Sequence, residues 1–205
     1  MLQNNSVNGD GEIMKNATEY YQNSIKRDRP SRLLADFFRL KLDKNLKEKN
    51  AIDLGCGAGN DTMLLLEKGF NVTAIDSEPQ VKEIVLKRAQ NEQNLNVVTG
   101  DFSKVQLQKA DLINANFSLF FVRKDFDSFI KNVLQSINKN GYFVGNFLGK
   151  EDDWKKSKTT VEKDELFNYF SKFKILYFSE EKYYKDVLTK KNKFWHVYNI
   201  IAKKK

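Results

Sequence analysis

The sequence predicts an α/β fold, a three-layer sandwich built on a mostly parallel seven-stranded sheet with an antiparallel edge strand. Three observations lead there. From Asn50 onward, short apolar runs alternate with stretches of helical period, as parallel strands and crossover helices do. A glycine-rich turn stands where the first strand should become the first crossover helix. The last two apolar runs lie roughly fifteen residues apart with no helical period between them, so they pair antiparallel through a long hairpin.

The elements follow in order. Residues 1–15 are polar and without period, and are expected to form a disordered tail. Residues 16–205 are expected to form one domain, a helical cap over 16–49 followed by the sheet-bearing core over 50–205. In the cap, Leu33, Leu34, Phe37, Phe38 and Leu42 recur at helical spacing after Pro30-Ser31, giving a helix over 31–43. Strand one is Ala51 to Leu54, and a short helix over Thr62 to Lys68 stops at Gly69. Strand two runs from Phe70 to Ile75. The next helix should be capped by Ser77 with Gln80 as its box partner and Pro79 in the first turn. Strands three and four are Leu95 to Val98 and Ala110 to Ala115. The clearest helix spans Asp125 to Ile137, with Phe126, Phe129, Ile130, Val133, Leu134 and Ile137 on one face. Asn138 to Gly141 turns the chain into strand five, Tyr142 to Phe147. A helix from Lys163 to Phe170 then precedes Lys174 to Phe178 and Phe194 to Ala202, the two hairpin strands.

Composition narrows the chemistry. With 40% apolar and 30% charged residues, the 205-residue chain is globular in character. No run approaches the ~20 apolar residues that would cross a bilayer, and the first residues lack a signal-peptide profile, so a cytoplasmic protein without a membrane partner is expected. One cysteine, Cys56, and one histidine, His196, leave almost no ligands for a metal site, and none is assigned. The net charge of +8 is concentrated at the end of the chain, where Lys182 to Lys205 holds eight lysines against Asp186 alone. The 29 lysines outnumber 6 arginines, the residue suited to bidentate phosphate recognition, which argues against nucleic acid as the partner. A monomer or homodimer is expected.

The site begins at Asp53-Leu54-Gly55-Cys56-Gly57-Ala58-Gly59-Asn60. Alternate glycines let the backbone turn tightly and leave no side chain between it and a ligand. The spacing is G-x-G-x-G, not the dinucleotide G-x-G-x-x-G, and no Gly-Lys-Ser/Thr ending marks a phosphate loop. Asp61, at the helix start, would repel a diphosphate there. Asp76 follows Gly55 by 21 residues at the end of strand two, where a carboxylate accepts hydrogen bonds from a ribose hydroxyl pair. Asp101, just past strand three, is placed to accept from an adenine amino group, with Phe102 beside the ring.

These residues, together with Asp111 to Phe117 and Asn140 to Phe143, resemble the class I S-adenosylmethionine-dependent methyltransferases over roughly residues 50–148. More narrowly, Tyr20-Tyr21 before Arg29-Pro30, Phe147-Leu148-Gly149 with Trp154, and Phe194 to Val197 resemble the small bacterial methyltransferases grouped with tellurite-resistance proteins. The resemblance implies a Rossmann-like fold and S-adenosyl-L-methionine as cofactor. It implies that Asp53, Gly55, Cys56, Gly57 and Gly59 face the cofactor's amino-acid end, that Asp76 with Ser77 holds the ribose, and that Asp101 and Phe102 hold the adenine. It further places Asn116 and Phe117 beside the sulfonium, and Tyr20, Tyr21 and Arg29 near the cofactor's carboxylate.

The implied activity is methyl transfer to an unidentified small-molecule acceptor. In-line displacement from a sulfonium needs little covalent help, since alignment alone supplies on the order of 7–11 kcal/mol. No catalytic group is therefore assigned, with His196 and Asn116 as candidates. Phe117, Phe120, Phe121 and Trp154, with Tyr21, are candidate acceptor-binding residues. The strand-four sequence Asn114-Ala115-Asn116-Phe117 lacks the Pro-Pro turn of base-methylating enzymes, and no cysteine nucleophile follows it. Two other readings stay open: a nicotinamide-dependent oxidoreductase, and a non-catalytic cofactor-binding module that docks on RNA or protein through its lysine-rich end.

Overall fold

Strand residues that alternate in size and polarity at a period of two must be covered on both faces when the strands are parallel. That is the arrangement in the computed structural model, which describes residues 21–40, 46–90, 92–187 and 190–205. Strands β1 (Asn50–Leu54), β2 (Asn71–Asp76), β3 (Leu95–Thr99), β4 (Ala110–Ala115), β5 (Ile137–Leu148), β6 (Phe173–Val187) and β7 (Lys190–Lys204) form one sheet in the order β3-β2-β1-β4-β5-β7-β6. The first five are parallel to one another, and β7 runs antiparallel to both β5 and β6. Helices α1 (Arg32–Arg39), α2 (Asn60–Glu67), α3 (Pro79–Arg88), α4 (Phe126–Ser136) and α5 (Lys163–Tyr169) cover it, with a helical segment over 21–27 ahead of them.

Alternation assigns each strand residue to a face. Ile52, Leu54, Ile113, Ala115, Phe143, Ile200 and Ala202 pack under α4 and α5. Ala51, Leu112, Tyr142, Val144 and Ile201 pack under α1, α2 and their flanks. Of the six apolar positions read from the sequence, five form the buried stripe of α4 and the sixth, Ile137, is buried at the start of β5. Since Ile52 and Leu54 face one side, Asp53 must face the other. It pairs in register with Asn114, so two polar side chains share one buried row at the strand ends.

Several expectations need correction. Helix α1 ends at Arg39, with Leu40 as its C-cap, short of the expected 43. Ser31 is its N-cap, accepting from the Leu34 N–H at 3.3 Å. Ser77 does not cap α3: the N-cap is Glu78, whose side chain makes no capping bond. Proline pushes its preceding residue into the extended region, so the helix starts at Pro79 itself and the cap moves one residue later. The Glu78 N–H is instead taken by Asp76 Oδ1 at 3.0 Å. The turn over 138–141 lies inside β5 as an irregularity: Ile137 pairs with Ala110 and Tyr142 with Leu112. The expected tail over 1–15, Tyr20 and part of the cap fall outside the described residues.

Candidate functional site

The glycine turn takes its shape from three left-handed backbones, with φ of +72° at Gly55, +52° at Gly57 and +81° at Gly59. A side chain is disfavoured at each such position. The tip is drawn back onto β2, because the Gly55 and Cys56 N–H groups donate to the Ile75 carbonyl at 2.8 and 3.1 Å. A Cβ on Gly55 would stand 2.4 Å from the Ser118 Cβ, so that glycine is needed for close packing. Among the described residues, a Cβ on Gly57 would meet Tyr21 Cε1, at 3.8 Å, and nothing nearer. Gly57 therefore presents bare backbone to the outside.

Asp76 stands beside it at the end of β2, half-buried, with Oδ2 accepting from the Gly57 N–H at 2.8 Å. Ser77 is exposed next to it. Asp101, past β3, is exposed; its Oδ1 accepts from the Ser103 N–H at 3.0 Å and hydroxyl at 2.6 Å, which holds its carboxyl below the usual range. Phe102 is buried, its Cε1 3.6 Å from the position of a Gly55 Cβ and its ring 5.8 Å from that of Phe129. Three strand ends thus bring Gly57, Asp76, Asp101 and Phe102 to one rim of the sheet.

The other cofactor candidates divide. Cys56 turns its thiol into the cluster of Ala58, Ala74, Val81 and Val85, and burial pushes that thiol well up, so it packs and does not react. Tyr21 joins the same cluster against the glycine turn, apart from the aromatic residues around Phe117. Arg29 is exposed, and Tyr20 lies outside the described residues.

Asp53 does not face outward. It is buried, its Oδ2 accepting from the Thr62 hydroxyl at 2.6 Å and its Oδ1 from Asn114 Nδ2 at 2.8 Å. The same Asn114 amide donates to Asp61 Oδ2 at 2.9 Å. Burial, then the neighbouring Asp61 charge, pushes the Asp53 carboxyl up to about 7. Asp61 itself turns inward, where its Oδ1 accepts from the Ser31 N–H at 2.6 Å and its Oδ2 also from Asn116 Nδ2 at 3.1 Å. It is a strut between α1, α2 and β4 and not a charge guarding the helix start. Asn116 Nδ2 further donates to Asn114 Oδ1 at 2.6 Å, and Asn146 Oδ1 accepts from the Phe117 N–H at 2.8 Å. This chain holds Phe117 at φ +51° with its ring 41% exposed. An aromatic residue in that region is uncommon and persists only where its surroundings impose it. Asn116 is thus a positioning group.

Around Phe117 the aromatic candidates do come together. Its ring lies 6.5 Å from Phe120 and 5.4 Å from Trp195, while Trp154 lies 6.0 Å from Phe120 and 5.1 Å from Trp195. His196, the neighbour of Trp195 on β7, points elsewhere. It is buried, its Nδ1 accepting from the Glu151 N–H at 3.2 Å and its Nε2 3.0 Å from Glu180 Oε1. The tautomer that satisfies both carries its proton on Nε2, with the Nδ1 lone pair occupied by the Glu151 N–H. His196 is a structural histidine, correcting its candidacy as a base.

The sequence marks Asp61 only as a charge at the helix start and assigns no site role to Asn114, Asn146, Ser118 or Arg88. Arg88 donates to the Ala58 carbonyl, to Asn60 Oδ1 at 2.7 Å and to Asp28 Oδ1 at 2.7 Å, tying the glycine turn to the N-terminal segment. A signal existed for Asp53 and Asn114: each is a polar residue at an interior position of an apolar strand, and such groups need buried partners. The lysine-rich end is in part turned inward. Lys182 pairs with Glu151, Lys193 with Asp152 at 2.6 Å, and Lys204 Nζ donates to the carbonyls of Leu134, Gln135 and Ile137. Among the described residues, no helix is long and apolar enough to cross a membrane.

Comparison with known proteins meets this geometry. Residues 52–145 match the family described as "Methyltransferase domain". A trans-aconitate 2-methyltransferase of Agrobacterium fabrum is 40% identical over 104 residues, covering 49% of this chain and 37% of that protein. The chain spans between 36% and 63% of the length of eight curated relatives that it resembles. Among solved structures, TehB from Haemophilus influenzae superposes with a TM-score of 0.69 at 20% identity, covering 84% of this chain and 61% of that one. The N-methyltransferase NodS from Bradyrhizobium japonicum WM9, solved with S-adenosyl-L-homocysteine, gives 0.65 at 14% identity over 92% and 98%. These two likenesses establish the fold, and the family match covers the glycine turn, Asp76, Asp101 and the end of β4. Over residues 52–145 the chain is thus similar to methyltransferase domains, on a fold that it shares with TehB and NodS.

Proposed function

We propose that this chain is an S-adenosylmethionine-dependent methyltransferase acting on a small-molecule acceptor. The observation that carries the reading is Gly57: bare backbone at φ +52°, open where a side chain would stand, hydrogen-bonded to the strand-end carboxylate of Asp76. A second observation tests the fit. Ser118 Oγ is buried beside Gly55 with no hydrogen-bond partner, a polar atom of the kind a bound ligand satisfies. Nothing in the donor set disagrees: carboxylates suit the hydroxyls and amino group of an adenosine, and the turn carries no cation for a diphosphate.

In this reading Asp76 accepts from the ribose, Asp101 and Phe102 hold the adenine, and the turn from Gly55 to Gly59 wraps the methionine part. When bound, S-adenosylmethionine supplies a sulfonium methyl that passes to an acceptor lone pair while the carbon–sulfur electrons return to sulfur. The chain's own work is alignment and exclusion of water. The buried row from Asp53 to Asn146 fixes Phe117, and Phe117 with Phe120, Trp154 and Trp195 forms the apolar wall on which the acceptor rests.

Calorimetry tests the reading. Both S-adenosylmethionine and S-adenosylhomocysteine are expected to bind the folded protein, and Asp76→Ala is expected to weaken both by at least about tenfold with unchanged circular dichroism. No heat with either ligand on folded material would overturn the function. Wild-type affinity in the variant would remove Asp76 from the ribose.

A further inference from the structure

The acceptor side of the rim carries a charge pattern that the methyl-transfer chemistry does not require. After Phe117 the chain makes a single 3-10 turn, Leu119–Phe121, and leaves Phe121 55% exposed. The segment from Lys155 to Thr160 folds back onto this turn. It is pinned there by the Thr159 N–H to the Phe120 carbonyl at 3.0 Å and the Thr159 hydroxyl to the Val122 carbonyl at 2.6 Å. That pinning sets the half-buried Lys158 ammonium 4.1 Å from the centre of the Phe121 ring. Arg123 lies close enough to act on it as a like charge, and Lys124, Lys155 and Lys156 are exposed nearby in the chain.

Most lysines around the site are paired. Lys163 bonds Glu180, Lys182 bonds Glu151 and Lys193 bonds Asp152, while Lys150 donates to the Thr160 carbonyl. Among the described residues, Arg123, Lys124, Lys155, Lys156 and Lys158 form no ion pair with any carboxylate. Of the neighbouring acids, Asp152 is engaged by Lys193, Asp153 by the Phe194 N–H at 2.8 Å, Glu151 by Lys182 and Asp127 by the Tyr169 hydroxyl at 2.5 Å, while Asp125, exposed beside Lys124, makes no side-chain capping bond to α4 and, among the described residues, no ion pair with these five cations. Burial, and then Arg123, pull the Lys158 ammonium below its ordinary value, as expected where no counter-charge is near. Like charges held together without a counter-ion, beside an aromatic wall, make a receptor for an anion.

Resting on the methyltransferase reading above, we infer that the acceptor is a small organic anion, carrying a carboxylate or phosphate that Lys158 and Arg123 hold while its apolar part lies on the Phe117–Phe120–Phe121 edge. The rings form a chain, Phe117 to Phe120 at 6.5 Å and Phe120 to Phe121 at 4.8 Å, and Lys158 stands over the last of them. The anionic group is therefore a handle and not the nucleophile. The methylated atom belongs to the other end of the molecule, and the product keeps its negative charge.

Calorimetry or ligand-observed NMR with the full chain, saturated with S-adenosylhomocysteine, tests this with phenylacetate, phenyl phosphate and neutral phenylacetamide as probes. Both anions are expected to bind at least about tenfold more tightly than the amide. Lys158→Met, which keeps the apolar stem over Phe121, is expected to erase that preference, and Arg123→Gln to reduce it. Lys139→Gln, an exposed cation at the opposite end of β5, should leave it intact. Equal binding of charged and neutral probes, an undiminished preference in Lys158→Met, or binding of an RNA oligonucleotide with no binding of the small anions would each overturn the inference. Failure of the two readings is distinguishable, because homocysteine-product binding is measured first. Its absence removes the function, whereas its presence without an anion preference removes only this proposal.

Discussion

Asn114 donates one amide hydrogen to each of two carboxylates, Asp53 and Asp61, in a row where no bulk water screens them. Such an arrangement is stable only if one acid stays protonated near neutrality, and Asp53, the more buried, is the one raised to about 7. The sign follows from the comparison with the unfolded chain. A carboxyl raised above its ordinary 3.8 is bound to its proton more tightly in the folded state, so its contribution favours folding at low pH. That contribution is lost as pH rises from about 4 to about 7 and is flat above. Urea denaturation of wild type and Asp53→Asn between pH 4 and 8 checks this. The stability difference is expected to shift in the variant's favour across that window, and parallel curves would assign the raised carboxyl elsewhere.

At the scale of elements, the β6–β7 hairpin brings a buried charge to the acceptor wall. Lys193 and Asp152 are both fully buried, 2.6 Å apart, and the ammonium lies 3.5 Å from the ring centre of Trp195 and 4.4 Å from that of Trp154. Asp152 also accepts from the Trp154 and His196 N–H groups, so one carboxylate joins the loop after β5 to the hairpin. Removing the cation strands that carboxylate. Lys193→Met is expected to cost about 3–5 kcal/mol in chemical denaturation, and the double variant with Asp152→Asn to recover part of it. Additive losses in the double variant would show that the two side chains contribute independently. The hairpin was foreseen from two apolar runs without a helix between them. The buried pair was not, since a lysine in a lysine-rich stretch carries no local mark that it will be turned inward.

Across the whole molecule, the sheet ends at β6, whose outer edge has no partner strand among the described residues. Over fifteen residues this strand carries Lys174, Glu180, Glu181, Lys182, Lys185 and Asp186, charges of the kind that oppose edge-to-edge pairing. Replacing the exposed Lys174 and Lys185 by Thr is expected to give concentration-dependent association in sedimentation velocity that the wild type lacks. Unchanged sedimentation would show that the charges on this edge do not keep copies apart.

The positions of β1 to β5, the stripe of α4, the glycine turn and the acids after β2 and β3 were legible because each is written within a dozen residues. A period of two or 3.6 assigns a burial face, and glycine alone accepts the turn's backbone. Strand order, the insertion of β7 between β5 and β6, and the fate of the buried polar groups were settled only by tertiary structure. Asp61 meets Asn114 across 53 positions, Arg88 meets Asp28 across 60, and Lys193 meets Asp152 across 41. Local sequence marks that a side chain is polar and faces inward, but the partner that satisfies it comes from a distant element, and only the packing of the sheet brings the two together.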